Sequence, residues 1–317
     1  MAMQTAVLFL VFNRPQTTEK VFEAIRRAAP KKLYVAADAP REGRNEEQLC
    51  AQVRAMATNV DWDCEVKTLF QTTNKGLRVA TIEAFNWVFE HEERAFLIED
   101  DTLPSDDFFP FAEELLERYA HDERVAGIGG CNHNFPTGVE HYDYFFCHYI
   151  ATWGWATWRR SWTRLGLYEK HRSEVMGANG TFDAIFYDKN ENIEGRNNIK
   201  LMEAGKVNTW DFGWQLDMQL QGGVFAIPCE NMIVNLGFGA GATNTPDANH
   251  IFSNLKFGKT QFPLRHPEYL VKSRLYEDSK MYKNQRIDEL STYKELLKYL
   301  YQKTRKKILG ISNIPKV

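Results

Sequence analysis

Apolar and polar positions fall into alternating blocks over the first 130 residues, and the blocks predict strand and helix in turn. Residues 6–12 (AVLFLVF) form a continuous apolar run, the pattern of a strand buried on both faces. The run stops at Asn13-Arg14-Pro15. From Thr17 or Thr18 an apolar face returns at Val21, Phe22 and Ile25, which predicts a helix with Pro15 near its start. Residues 33–37 predict a second strand ending at Asp38-Ala39-Pro40-Arg41, and residues 48–58 a second helix. A third strand over 64–70 leads through a polar loop, 71–76, into a helix over 79–89 with Ile82, Phe85, Val88 and Phe89 on one face. Residues 95–98 (AFLI) are a fourth strand, stopped by Glu99-Asp100-Asp101 with Pro104 just beyond. Strands alternating with helices in this way predict right-handed crossovers and a mainly parallel α/β sheet.

The pattern continues as a helix over 108–120 and a strand over 125–129, then weakens after Gly130. Residues 141–152 mix aromatic with polar side chains. Residues 153–160 (WGWATWRR) carry two readings: a close-approach surface with aromatic walls, in which Trp155 would wall a cofactor site, or a core corner. Residues 169–198 are polar and helical in parts, with a loop expected at 190–198. A helix over 215–221 precedes short strands at 224–228 and 232–236. Residues 237–249 form a Gly/Thr/Asn loop long enough to act as a lid. Residues 291–311 read as a basic helix, either a solvated terminal element or one drawn to an anionic membrane surface.

The acids are the chemically pointed feature. In open α/β sheets ligands sit beyond the carboxyl ends of the strands, which is where Glu99, Asp100 and Asp101 emerge. Side-by-side carboxylates repel, so they call for a cation, and hard oxygen ligands suit Mg²⁺ or Mn²⁺. The plainer alternative is a solvated acidic turn before the next helix. Arg14 and Asp38 stand at the ends of two other predicted strands, so the topology delivers Arg14, Asp38 and the three acids to one sheet edge.

Composition narrows the classes. The 39 Lys and Arg against 42 Asp and Glu give a net charge of −3, which offers no general attraction to nucleic acid. The five cysteines are scattered with no C-x-x-C pair, against a disulfide framework or zinc cluster and for a reducing compartment. The first residues lack the basic region of a signal peptide, and the run at 6–12 is too short to span a bilayer. The expected location is cytoplasmic, with peripheral membrane contact open through the basic tail.

In order along the chain, V-F-N-R-P, A-A-D-A-P-R, N-K-G-L, L-I-E-D-D, W-G-W-A-T-W-R and T-W-D-x-x-W resemble nucleotide-sugar glycosyltransferases of the GT-A fold. The pattern is most similar to bacterial HlpA-like or glycosyltransferase-2-like proteins. It is more distantly similar to N-acetylglucosaminyltransferase I, whose acidic motif is also E-D-D. The resemblance spans about residues 5–247. It implies a GT-A fold with a nucleotide-sugar-binding half (1–130), an acceptor-binding and catalytic half (131–260) and a C-terminal helical extension (261–317). It implies that Arg14 contacts the nucleotide or diphosphate, that Asp38 meets uracil, and that Asn74 and Lys75 sit by the base and ribose. Glu99 would face the donor sugar, Asp100 the ribose, Asp101 the divalent metal, and Asp211 would be the general base. One departure stands out: HlpA-like proteins tend to carry G-F-G-x-x-A-T-H-T, and Asn244 occupies the His position here, leaving Asn244 or His250 as further metal candidates.

An inverting transferase needs one carboxylate to take the acceptor hydroxyl's proton, and a metal on the leaving diphosphate lowers the barrier. The expected donor is a UDP-sugar, and the expected acceptor a saccharide or lipid-linked glycan in surface polysaccharide assembly. Asp211 also suits the N-cap of the helix that follows it, with Asp217 in reserve as base. Asp38 equally suits a turn before Pro40, and Arg14 the surface before Pro15. Competing functions are a sugar-1-phosphate nucleotidyltransferase, a membrane-active protein, and a non-catalytic sugar- or nucleotide-binding module. The first would need a Gly-rich loop where Asn13-Arg14-Pro15 stands.

Overall fold

Four parallel strands and the helices between them build the first third of the chain: β1 (Ala6–Val11), α1 (Pro15–Ala28), β2 (Lys32–Ala37), α2 (Glu47–Thr58), β3 (Glu65–Phe70), α3 (Leu77–His91) and β4 (Arg94–Glu99). The structure, a computed structural model, describes residues 3–177, 181–185, 189–206, 209–238 and 250–277. Of the candidate lid over 237–249, residues 239–249, Asn244 among them, lie outside the described residues, as does the basic stretch 291–311.

The chain then runs through β5 (Thr102–Pro104), α4 (Phe108–Arg118), β6 (Val125–Gly129), β7 (Tyr144–Cys147) and β8 (Trp155–Trp158). Helices α5 (Arg159–Trp162), α6 (Leu167–Lys170), α7 (Arg172–Val175), α8 (Thr181–Ile185), α9 (Lys189–Glu203) and α10 (Asp211–Leu220) follow, and β9 (Val224–Pro228) and β10 (Ile233–Asn235) close the series. The main sheet has the order β3-β2-β1-β4-β8-β6-β9-β7, and β5 pairs with β10 in a small second sheet. This is the α/β class expected, with helices on both faces of a mostly parallel sheet. Strand β8 is the exception in its interior, running antiparallel to both β4 and β6.

The period-two alternation of the strands divides the core. Val7, Phe9 and Val11 of β1 pack with α1, α2 and α4 on one face. Ala6 and Leu8 face the other way, toward α3 and α10. Strands buried on both faces carry continuous apolar runs, which is why β1 and β4 show in the sequence. The loop expected at 190–198 is instead helix: α9 spans it, because Asn and Gly between charged residues lower helix propensity without abolishing it. Among the described residues, no helix is long and apolar enough to cross a membrane.

Candidate active site at the sheet rim

Parallel registry fixes where the strand ends emerge. Val11 lies beside Ala37, and Leu10 beside Glu99. Residues 12–14, Asp38 and Asp100–Asp101 therefore leave the sheet at a common rim. Two contacts knit that rim: the Phe12 backbone N–H donates to Asp100 Oδ2 at 3.0 Å, and Arg14 Nη1 donates to Asp101 Oδ2 at 2.5 Å. Arg14 also reaches Asp100 Oδ1 at 3.4 Å.

Asp100 and Asp101 are buried. Three carboxylates share one guanidinium, so with all three deprotonated Arg14 would leave two negative charges without an offset. The electrostatics record this. Burial, then the charge of Asp101, pushes the Asp100 carboxyl up to about 7. Glu99 is raised by burial, then by Asp101, Asp100 and Asp211 in turn; Asp101 is raised by burial, with Arg14 pulling the other way. Asp211 thus stands close enough to Glu99 for its charge to be felt there.

A cavity of about 260 Å³ opens along the same rim. Its apolar wall comes from Leu10, Ala36, Leu69 and Leu77, and its polar groups from Arg14, Asp38, Arg41, Asn74, Glu99 and Asp100. Asp38 has a defined structural task here. Its carboxylate accepts from the backbone N–H groups of Ala39 (2.9 Å), Lys75 (2.9 Å) and Gly76 (2.9 Å), so it pins the turn that leads into α3 to the end of β2. A negative charge at a helix N-terminus is favoured by the helix dipole. Gly76, at φ 77° and ψ 160°, holds a conformation that side-chain-bearing residues avoid, which lets its N–H turn toward Asp38. Asn74 joins the same loop to the β2 exit, donating from Nδ2 to the Ala39 carbonyl at 2.6 Å. The Lys75 side chain pairs with Glu83 at 2.6 Å and is not part of the cavity wall.

Arg41 is a cavity residue that sequence reasoning assigned no role. Its guanidinium is held by the buried Glu46, and it lies 5.4 Å from the centre of the Phe12 ring. The signal was present in the Ala39-Pro40-Arg41 strand exit, but nothing local shows that Glu46 aims the side chain.

Trp155 belongs to the core. Its ring is 1% exposed and packs with Phe85, Trp210 and Trp214. This corrects the reading of 153–160 as an aromatic wall for a cofactor; of the two alternatives, the core corner holds.

Asp211 is the first residue of α10, with Trp210 in the cap position, so the N-cap reading does not hold. Its Oδ1 accepts from the Thr209 hydroxyl and from the Phe212 N–H (2.9 Å). Asp217 is removed as a reserve base. Buried at 1% exposure, it accepts from the backbone N–H groups of Gly166 (2.6 Å) and Tyr168 (2.5 Å), and so anchors α6. His250 stacks on Phe238, ring centroids 5.2 Å apart.

Among the described residues, no group of three His, Cys, Asp or Glu side chains is arranged to hold a metal ion. The donor set nevertheless fits a hard divalent cation. Mg²⁺-type ions are commonly held by one or two carboxylates, with phosphate and water supplying the rest, and deprotonation of the three acids would give more negative charge than Arg14 offsets. The chain passes close over Asp101: a Cβ on Gly237 would meet Asp101 Oδ2 at 2.1 Å, so only glycine fits there.

A scan of protein families gives no match to the chain, and a comparison with curated proteins gives none. Among solved structures the chain is similar to a mannosyltransferase from Pyrobaculum calidifontis in complex with GDP-Man and Mn²⁺. The identity is 13% and the TM-score 0.39, over 69% of each chain. The chain's own residues, rather than that likeness, define the site.

Proposed function

We propose that the protein is an inverting, divalent-metal-dependent glycosyltransferase that moves a sugar from a nucleoside diphosphate donor, a UDP-sugar, to a saccharide acceptor. The observation that carries this reading is the convergence of Arg14, Asp38, Glu99, Asp100 and Asp101 on one rim, where one guanidinium faces three adjacent acids. In it the nucleoside occupies the 260 Å³ cavity, against Leu10, Leu69 and Leu77. Asp38 serves there mainly by holding the loop that carries Asn74, and Arg41 supplies a positive edge. Asp101 would hold Mn²⁺ or Mg²⁺, which when bound polarises the diphosphate and stabilises it as a leaving group.

The chain's residues then have distinct tasks. Glu99, within electrostatic reach of Asp211, would orient the donor sugar hydroxyls. Asp211 takes the proton as the acceptor oxygen bonds to the anomeric carbon; the carbon–phosphate-oxygen bond breaks, and the nucleoside diphosphate departs with that electron pair. Arg14 holds the acids together before the donor arrives and offers the diphosphate a guanidinium. A cytoplasmic location, with membrane contact through residues 291–311, belongs to the same proposal and rests on the basic character of that stretch.

The test is a screen of sugar nucleotides for Mn²⁺-dependent hydrolysis and transfer, followed by Asp211→Asn on any active donor. The expected result is that the variant binds donor as wild type does and loses at least about a hundredfold in turnover, in line with removal of a general base. Undiminished turnover in Asp211→Asn would place the base elsewhere.

A further inference from the structure

A second cavity, of about 420 Å³, lies on the other side of the first turn of α3 from the donor cavity. Leu77, Ala80 and Thr81 of that helix line the first cavity, whereas Arg78 lines the second. Thr209, Phe212 and Gly213 form another part of its wall, and the Thr209 hydroxyl is the group that bonds Asp211. The candidate base is therefore flanked by wall residues of this cavity, while its charge is felt at Glu99 in the wall of the first.

The polar inventory of this cavity is unbalanced. Arg78 is half-buried; its Nε is shielded from solvent and has no hydrogen-bond partner, and among the described residues the side chain makes no ion pair. The Tyr168 hydroxyl is also buried, near the Arg172 guanidinium without meeting it in hydrogen-bond geometry. Of the two acids in the wall, Glu203 is already neutralised by Arg172, and Glu169 is exposed, where solvent and salt screen its charge. A buried guanidinium donor left unsatisfied is unfavourable, and its planar fork matches carboxylate or phosphate oxygens.

We infer that this second cavity receives the acceptor, and that the acceptor is an anionic saccharide whose carboxylate or phosphate is bound by Arg78, with the Tyr168 hydroxyl as a second donor. This rests on the transferase reading for its use of Asp211. The shared chemistry is a fixed negative group on a sugar, from either a uronic acid or a sugar phosphate.

Calorimetry or saturation-transfer NMR on the full chain would compare glucuronic acid, glucose 6-phosphate and glucose at pH 7.5, with a separate titration of UDP and Mn²⁺ into wild type. At least one anionic sugar should bind about tenfold or more tightly than glucose, the first identifying a uronic acid and the second a phosphate. Arg78→Met should abolish that preference while its melting temperature stays at or above the wild-type value, because an unpartnered donor has been removed. Should Arg78→Met not fold, Arg78→Lys, which keeps charge but lacks the fork, should show the preference reduced at least threefold or so. Equal binding of all three sugars to wild type, or an unchanged preference in a folded Arg78 variant, would overturn the inference. Failure of the UDP titration alone would instead count against the donor reading and leave the sugar result standing.

Discussion

Arg14 Nη1 lies 2.5 Å from Asp101 Oδ2, and this one ion pair ties the exit of β1 to the exit of β4. Both partners are largely shielded, so the contact is the main offset to the negative charge of the rim. Removing Arg14 leaves three carboxylates with no cation, and breaking a buried pair from one side typically costs about 3–5 kcal/mol. Arg14→Met is expected to unfold at lower urea concentration than wild type at pH 8, with Mn²⁺ recovering part of the loss. An unchanged midpoint would show that the acids are better solvated than the geometry indicates.

The raised carboxyls give a pH dependence with a definite sign. Asp100 titrates near 7 when folded and near about 4 when unfolded, so the folded state binds the extra proton between those values. Stability of the metal-free protein from this group is then lost as pH rises from about 4 to about 7, and Glu99 and Asp101 act in the same direction. A bound divalent cation removes the penalty. Mn²⁺ should therefore raise the melting temperature more at pH 8 than at pH 5.5, and Asp100→Asn should narrow that difference. An increment that is the same at both pH values would contradict the assignment.

Asp38 should behave as a scaffold for the cavity. Asp38→Ala strips the Lys75 and Gly76 N–H groups of their acceptor, worth about 1–3 kcal/mol of stability, and releases the loop that carries Asn74. Melting and nucleotide titration should both move, with binding weakened about tenfold or more. Weakened binding with an unchanged melting temperature would instead make Asp38 a direct contact only.

Trp155 should separate from the site altogether. Trp155→Phe is expected to lower stability by about 1–3 kcal/mol through loss of packing against Phe85, Trp210 and Trp214, with nucleotide affinity within twofold of wild type. A large affinity loss in a stable variant would restore the ring to the nucleotide site.

The contrast between Asp38 and Trp155 shows how far the sequence could be read. Local patterns carry β1 to β4 and the helices between them, because strands buried on both faces and amphipathic helices leave their periods in a short window. Parallel connectivity then places Arg14, Asp38 and the acids together without any side-chain detail. What local pattern cannot carry is pairing at long range. Strand β8 enters the sheet antiparallel between β4 and β6, and β5, three residues long, is completed by β10 some 130 residues later. For the same reason Asp38's hold on the turn before α3, Asp217's hold on α6 and the unsatisfied Arg78 Nε are properties of the assembled chain.

The most direct measurement is calorimetric titration of UDP into the protein with Mn²⁺ and again with chelator, repeated on Asp101→Ala. If a cation shared with the diphosphate satisfies the buried acids, Mn²⁺ tightens UDP binding at least about tenfold in wild type, and the gain disappears in the variant. Absence of UDP binding in both conditions, or an affinity indifferent to Mn²⁺ and to Asp101, would contradict it.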